Sequence, residues 1–458
     1  MKRKLKKFLS HSAKFGFLLF ALSFSLFAQG KNPVIFIPGL AGSELRHKTS
    51  NDKIWVKALK SKSEDLRLPI FADPSQALDD LKPTDAIRYV KFAGLSVFDV
   101  YGGFIEAMEK RGGYREENWE KPSDKGFEDS LYIFAYDWRL DNVENARLLM
   151  RKVGELKLKL KRPELKFDIV AHSMGGLISR YAVMYGDADL PTDEQKPQPT
   201  WAGANHFNKL ILLGTPNEGS ANSLNALVNG YSIGNVRLDL PFVQDSSKFM
   251  VFTIPAVYQL LPAPGTLRAF DEKLDPVYVD VFDPKTWSKY GWNVINDREF
   301  ASRFNVSERK LAPAYFQAVL DRAKRFHEAL AAGDGKTGGV AFYVLGSDCK
   351  TALDAILIYR DEKADKWKTV FRPNGFTRSD GVKIRDDELK KLMLVPGDGI
   401  VTKRSLEAVK VPTAEQLICG EHTRLAANIR IQNQILEILG GKPLPAKEME
   451  NNNYGKGR

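Results

Sequence analysis

The ten residues from Phe167 to Gly176 constrain the fold more than any other part of the chain. An apolar run around Ile169 and Val170 suits a buried parallel strand, and from Gly175 to Tyr185 the apolar side chains recur at helical spacing. Ser173 lies where one period gives way to the other, on the turn itself. A strand-to-helix turn this tight strains the residue at its apex, exposes its hydroxyl and needs small neighbours. The pattern is a G-x-S-x-G nucleophile elbow with Ala171 in place of the first glycine, a departure of one methyl group. The bland alternative is an accidental serine after a strand.

The text on either side alternates between strand and helix. Pro33 to Ser43 is a β-branched and aromatic run that breaks at Pro38-Gly39, a strand ending in a loop of small residues whose backbone N–H groups can face a ligand. The N–H of Leu40 is therefore a candidate oxyanion donor. His47 to Gly94 is loop-rich, carries Trp55 as the only large aromatic of its first half, and is read as an elaborated loop forming part of a substrate mouth. Helical spacing over Tyr101–Arg111, closed by Gly112-Gly113, precedes a strand over Leu131–Arg139 and a helix over Asn145–Leu160. Lys209–Pro216 is again an apolar strand running into a loop. Strands near residues 34, 133, 168 and 210 with helices between them predict a mainly parallel sheet with helices on both faces.

From residue 217 to 338 this alternation stops, which reads as a helical cap inserted between sheet strands, with helices over Arg298–Phe304 and Ala314–Leu330. Its apolar side chains, Phe242 and Phe249 among them, either face an apolar substrate or form the cap's own core. The sheet resumes at Val340–Gly346, a hairpin-like stretch follows around Trp367–Phe371 and Pro373–Gly375, and Gln416–His422 reads as a last strand before a final helix over Arg424–Leu439. The expected division is therefore a leader over 1–30, core over 31–216, cap over 217–338, core over 339–446 and a polar tail over 447–458.

Net charge invites a nucleic-acid reading until it is located. Six of the eleven net positive charges, Lys2, Arg3, Lys4, Lys6, Lys7 and Lys14, precede residue 31, and the remainder forms no basic stripe. That basic start is followed by an apolar run over Phe15–Ala28 and then Gln29-Gly30, the pattern of a secretory signal peptide. The run falls short of the roughly 20 residues a spanning helix needs, so an uncleaved anchor is the lesser reading. Export to the periplasm or the extracellular space, with association with a membrane surface, is the expectation. In such a compartment Cys349 and Cys419 are expected to pair, with two buried thiols as the alternative. Two cysteines far from clustered histidines are too few for a zinc site, and neither metal nor cofactor is expected.

A serine hydroxyl needs a histidine within reach and a carboxylate to orient it. Of the six histidines, His11 lies in the leader, His47 and His172 precede the serine, His206 stands before a strand and His327 falls in a cap helix, so only His422 follows a late strand. Asp398, between Gly397 and Gly399, completes the order serine, acid, histidine that α/β-hydrolases use.

At this point the chain resembles the lecithin:cholesterol acyltransferase and lysosomal phospholipase A family of α/β-hydrolases, and reads as a bacterial member of it. The matching text is Pro38–Leu45, Tyr136–Arg139, Ala171–Gly176, Tyr258–Pro262, Gly397–Val401 and Glu421-His422, in the family's order. The resemblance implies an α/β-hydrolase fold with a cap or lid, Ser173, Asp398 and His422 as the triad, and an oxyanion hole from the N–H groups of Leu40 and Met174. It makes Asp137 and Arg139 structural residues beside the site, and it places Cys349 and Cys419 where a later family disulfide lies. The paired cysteines that bound the family's N-terminal lid loop are absent here. The implied activity is acyl transfer from a phospholipid or acylglycerol at a lipid surface to water or an alcohol, with no obligate protein partner. A carboxylesterase for small soluble esters and a non-catalytic lipid-binding protein are the competing readings.

Overall fold

The protein, seen as a computed structural model, is described over residues 31–56, 66–92, 95–123, 127–191, 195–230, 247–333, 335–361 and 364–440. The leader, the polar tail and Phe242 lie outside the described residues. Among the described residues the central sheet has seven strands: β1 Val34–Ile37, β2 Arg115–Glu116, β3 Ser130–Ile133, β4 Phe167–His172, β5 Phe207–Leu213, β6 Ala341–Gly346 and β7 Thr413–Leu417. Their spatial order is β7-β6-β5-β4-β1-β3-β2, and every pairing is parallel.

Strand alternation sorts the core into two layers. Val34 and Phe36 of β1, Val170 of β4 and Ile211 and Leu213 of β5 face helices α1 (Gly102–Lys110) and Ile429–Ile438. Ile35, Ile37, Ile169, Ala171, Leu210 and Leu212 face the opposite way, toward α2 (Asn142–Lys159) and α3 (Met174–Tyr185). Successive side chains of a strand point to opposite faces, so a sheet covered on both sides needs these uninterrupted apolar runs. Helix α3 is buried on every side because it is enclosed by the sheet, α2 and the cap.

The cap enters after β5 and contributes the long helix α4 (Val306–Ala331). The sequence reading begins this helix at Ala314, after Pro313. It starts earlier because a capping box sets its end: the Asn305 side chain accepts from the Glu308 N–H and the Glu308 carboxylate accepts from the Asn305 N–H, both at 3.0 Å. Arg268–Phe270 of the cap pairs with Ala355–Leu357, whose strand pairs in turn with Lys366–Val370. The boundary drawn at 338 thus separates residues that share one small sheet, since a short β-branched run signals a strand but not its partner. Pro373–Gly375 joins two different ladders, with Phe376–Thr377 pairing with Lys383–Ile384. The stretch after His47 also departs from its reading as loop: Ser43–His47 pairs with both Lys53–Trp55 and Leu81–Ala86.

One buried polar knot fastens the cap to the core. Asp141 caps α2 by accepting from the N–H groups of Val143 and Glu144, and its other oxygen accepts from Arg322 Nε of α4 at 2.8 Å and from Gln259 Nε2 at 2.7 Å. Removing one partner of a buried ion pair leaves an uncompensated charge, a loss of about 3–5 kcal/mol. Arg322→Met is accordingly expected to lower unfolding free energy by about that amount in a urea titration, with part of the loss recovered in Arg322→Met/Asp141→Asn.

Candidate active site

All the features of interest gather beyond the carboxyl ends of the parallel strands, the usual place for ligands in open α/β sheets. Strand β4 ends at His172, and Ser173 takes φ 53° and ψ −125°, a left-handed backbone that is costly for a residue with a Cβ. Its N–H donates to the Leu213 carbonyl at 2.8 Å and its carbonyl accepts from Gly176 N at 2.9 Å. The small neighbours are required by contact. A Cβ on Gly175 would stand 2.5 Å from the Pro38 carbonyl oxygen, one on Gly176 would stand 1.9 Å from Thr215 Oγ1, and one on Gly39 would stand 2.9 Å from Ser173 Cβ.

Ser173 Oγ lies 2.9 Å from His422 Nε2, and His422 Nδ1 lies 2.7 Å from Asp398 Oδ2. The other Asp398 oxygen accepts from the N–H groups of Ile400 (3.0 Å) and Val401 (2.7 Å), and the Asp398 carbonyl accepts from His422 N at 2.9 Å. A carboxylate can only accept, so His422 carries its proton on Nδ1 and offers a bare Nε2 to the serine hydroxyl. Asp398 and His422 are both buried, whereas Ser173 retains partial exposure. A proton leaving Oγ therefore has an acceptor in place, and the resulting imidazolium has a carboxylate beside it.

Gly214, directly after β5, makes room for this pair. It has φ 61°, and a Cβ there would stand 2.6 Å from Leu425 Cδ1 and 3.4 Å from both Asp398 Oδ2 and His422 Nδ1. The sequence reading passed over it, because a glycine ending a strand reads as an ordinary breaker and nothing local shows what it faces. The His422 segment, which enters β7 at Thr413 rather than at Gln416, is tied down by the Cys349–Cys419 disulfide and by Gly420 N donating to Ser347 Oγ at 3.0 Å.

The loop after β1 turns back on itself, with Gly42 N donating to the Gly39 carbonyl at 3.0 Å and Ala41 at φ 57°. Tyr136 donates its hydroxyl hydrogen to the Pro38 carbonyl and Trp55 donates Nε1–H to the Ala41 carbonyl, both at 2.8 Å. Among the described residues no group accepts from the N–H of Leu40 or of Met174, and Met174 opens α3, where helix N–H groups favour negative charge.

Trp55 and Phe249, read as lining a substrate mouth, are both almost wholly buried. Trp55 packs at 5.5 Å against Trp138 with the rings tilted by 58°, and its indole N–H is spent on the loop. Phe249 sits inside the cap under the cations of Lys248 and Arg303. Arg139 is fully buried between Asp137 and Asp79, making paired hydrogen bonds of 2.6–3.0 Å to each carboxylate, and so tethers the segment around Asp79 to the loop after β3.

With this geometry in view, the family model of lecithin:cholesterol acyltransferase matches residues 121–317. The phospholipase A(1) LCAT3 of Arabidopsis thaliana is 22% identical over 91% of this chain and 92% of its own length. The middle of the chain is thus similar to the lecithin:cholesterol acyltransferase family. The lecithin-cholesterol acyltransferase-like 4 protein of the same plant is 26% identical over 51% of this chain and 43% of that protein. Among solved structures, the Tle4–Tli4 complex superposes with a TM-score of 0.49 at 15% identity, over 89% of this chain and 98% of that one. The acyltransferase family match takes in the Ser173 turn and most of the cap but ends before Asp398 and His422.

Gly214→Ala tests how tightly the site depends on the approach beside His422. It is expected to lower kcat for ester cleavage by about 10- to 100-fold, through a displacement of well under 1 Å, while the protein remains folded by circular dichroism. Wild-type kcat would show that the pair has slack.

Proposed function

We propose that the protein is an exported serine acyl hydrolase or acyltransferase that cleaves ester-linked acyl chains of phospholipids or acylglycerols. The observation that carries this reading is the unbroken chain from Ser173 Oγ through His422 to Asp398, at 2.9 and 2.7 Å. His422 Nε2 takes the hydroxyl proton as Ser173 Oγ attacks the ester carbonyl. The negative charge that develops on the carbonyl oxygen is met by the N–H groups of Leu40 and Met174, which need no reorganisation because the Pro38–Gly42 loop and the start of α3 already hold them. The protonated His422 then delivers its proton to the leaving alcohol, and an acyl-Ser173 ester remains. Water or an alcohol, deprotonated by His422, attacks that ester and restores the serine, so hydrolysis and transfer differ only in the acceptor.

The lipid substrate is supported by the match of residues 121–317 to the lecithin:cholesterol acyltransferase model and by the phospholipase A(1) name of the relative that matches nearly the whole chain. Export is supported by the basic and apolar first 30 residues and by a disulfide, which persists in an oxidising compartment. Among the described residues no helix is long and apolar enough to cross a membrane.

Ser173→Ala is expected to reduce kcat on the order of 10⁶-fold and Asp398→Asn on the order of 10⁴-fold, the second because His422 loses the partner that sets its tautomer. Product analysis on vesicles of acyl-labelled phosphatidylcholine, with and without a long-chain alcohol, separates hydrolysis from transfer. Faster turnover of short dissolved esters than of the vesicles would favour the carboxylesterase reading, and a wild-type protein that leaves Ser173 unlabelled by a fluorophosphonate would exclude a serine enzyme altogether.

A further inference from the structure

A second line of hydrogen bonds runs behind Ser173. Gly39 N donates to the Tyr101 hydroxyl oxygen at 2.9 Å, and that hydroxyl lies 2.9 Å from His172 Nδ1. His172 Nε2 lies 3.1 Å from the carbonyl oxygen of His422. The partners decide every hydrogen. A carbonyl can only accept, so His172 Nε2 bears the proton, Nδ1 is bare, and Tyr101 donates to it while accepting from Gly39. His172 and Tyr101 are both buried, and their rings meet edge-on at 5.6 Å.

The line joins three segments that are distant in sequence. Gly39 belongs to the loop that presents Leu40 N–H, His172 immediately precedes Ser173, and His422 belongs to the segment after β7. The backbone of His422 is thereby held from both sides, its N–H by the Asp398 carbonyl at 2.9 Å and its carbonyl by His172. We infer that Tyr101 and His172 form a positioning relay that keeps the oxyanion loop, the nucleophile turn and the catalytic histidine in one register. The inference rests on the proposed roles of Ser173, Leu40 and His422.

The relay also has to stay out of the proton transfer, because the His172 and His422 rings lie only 5.0 Å apart. The groups facing His172 are Tyr101, His422 and Asp398. Burial, with repulsion from a charged His422, pulls the His172 pKa down to about 3, outweighing the pull of the His422 carbonyl and of Asp398. His172 therefore stays neutral while His422 gains and loses its proton, and its two hydrogen bonds keep their direction throughout turnover.

The test is a double-mutant cycle with kcat expressed per active site titrated by a fluorophosphonate. Tyr101→Phe keeps the ring and removes the bridge, and is expected to lower kcat about 10- to 100-fold with KM changed less than about threefold, since a shifted oxyanion loop weakens transition-state binding alone. His172→Leu is expected to lose at least as much, and Tyr101→Phe in that background to cost less than about threefold further, because the bridge already has no acceptor. His172→Gln, which retains an N–H donor, is expected to recover most of the loss. Wild-type kcat in Tyr101→Phe, or losses that simply multiply in the double variant, would overturn the relay. If the variants fold poorly, ¹⁵N-histidine NMR of the wild type decides the matter: a neutral Nε2–H ring for His172 unchanged from pH 5 to 8 supports it, and a titrating ring refutes it. Failure of the wild type to label at Ser173 is a separate result, which overturns the proposed function and the relay with it.

Discussion

The structure depends on how closely backbone can approach backbone around Ser173. A serine at φ 53° between a buried strand and a buried helix is stable only if the surroundings hold it there. They do so through the Leu213 carbonyl on the neighbouring strand and through glycines at 39, 175 and 176, where a Cβ would press on Ser173, Pro38 or Thr215. Strands β1, β4 and β5 therefore come together at one point as well as along their lengths. The opening for Asp398 and His422 arises on the same edge, because Gly214 continues β5 without a side chain.

Around that point the protein spends its buried polar groups on attachment. Arg139 ties the segment near Asp79 to the loop after β3, and Asp141 with Arg322 and Gln259 ties the cap to α2. Buried ion pairs contribute little net stability but lose much when broken, so they specify where segments sit more than how strongly the whole folds. The disulfide does comparable work for the loop that ends at His422, by linking the chain just after β6 to the chain just after β7.

Much of this was legible in the residues. The apolar runs at Val34, Ile169 and Leu210 have no polar alternation, as a sheet covered on both faces requires, and the order of Ser173, Asp398 and His422 along the chain pointed to residues that lie within hydrogen-bond reach of one another. What stayed hidden were relations between distant segments. Trp55 reads as part of a substrate mouth, and Phe249 as facing a substrate or forming the cap's own core; both are buried, Trp55 against Trp138 and Phe249 inside the cap. Tyr101 reads as the first residue of an ordinary amphipathic helix, and His172 as a histidine set aside because it precedes the serine.

The sequence by itself determined the layered α/β architecture, the strained serine turn and the identity of the ionisable groups that could serve it, since period, glycine placement and residue chemistry are local properties. The tertiary structure alone decided which N–H groups lack an acceptor among the described residues, which aromatic side chains brace the loop after β1, and how His172 reaches the His422 carbonyl. Those outcomes depend on distances of about 3 Å between residues up to 250 positions apart. Spacing along the chain carries no information at that scale, whereas the packed sheet fixes it.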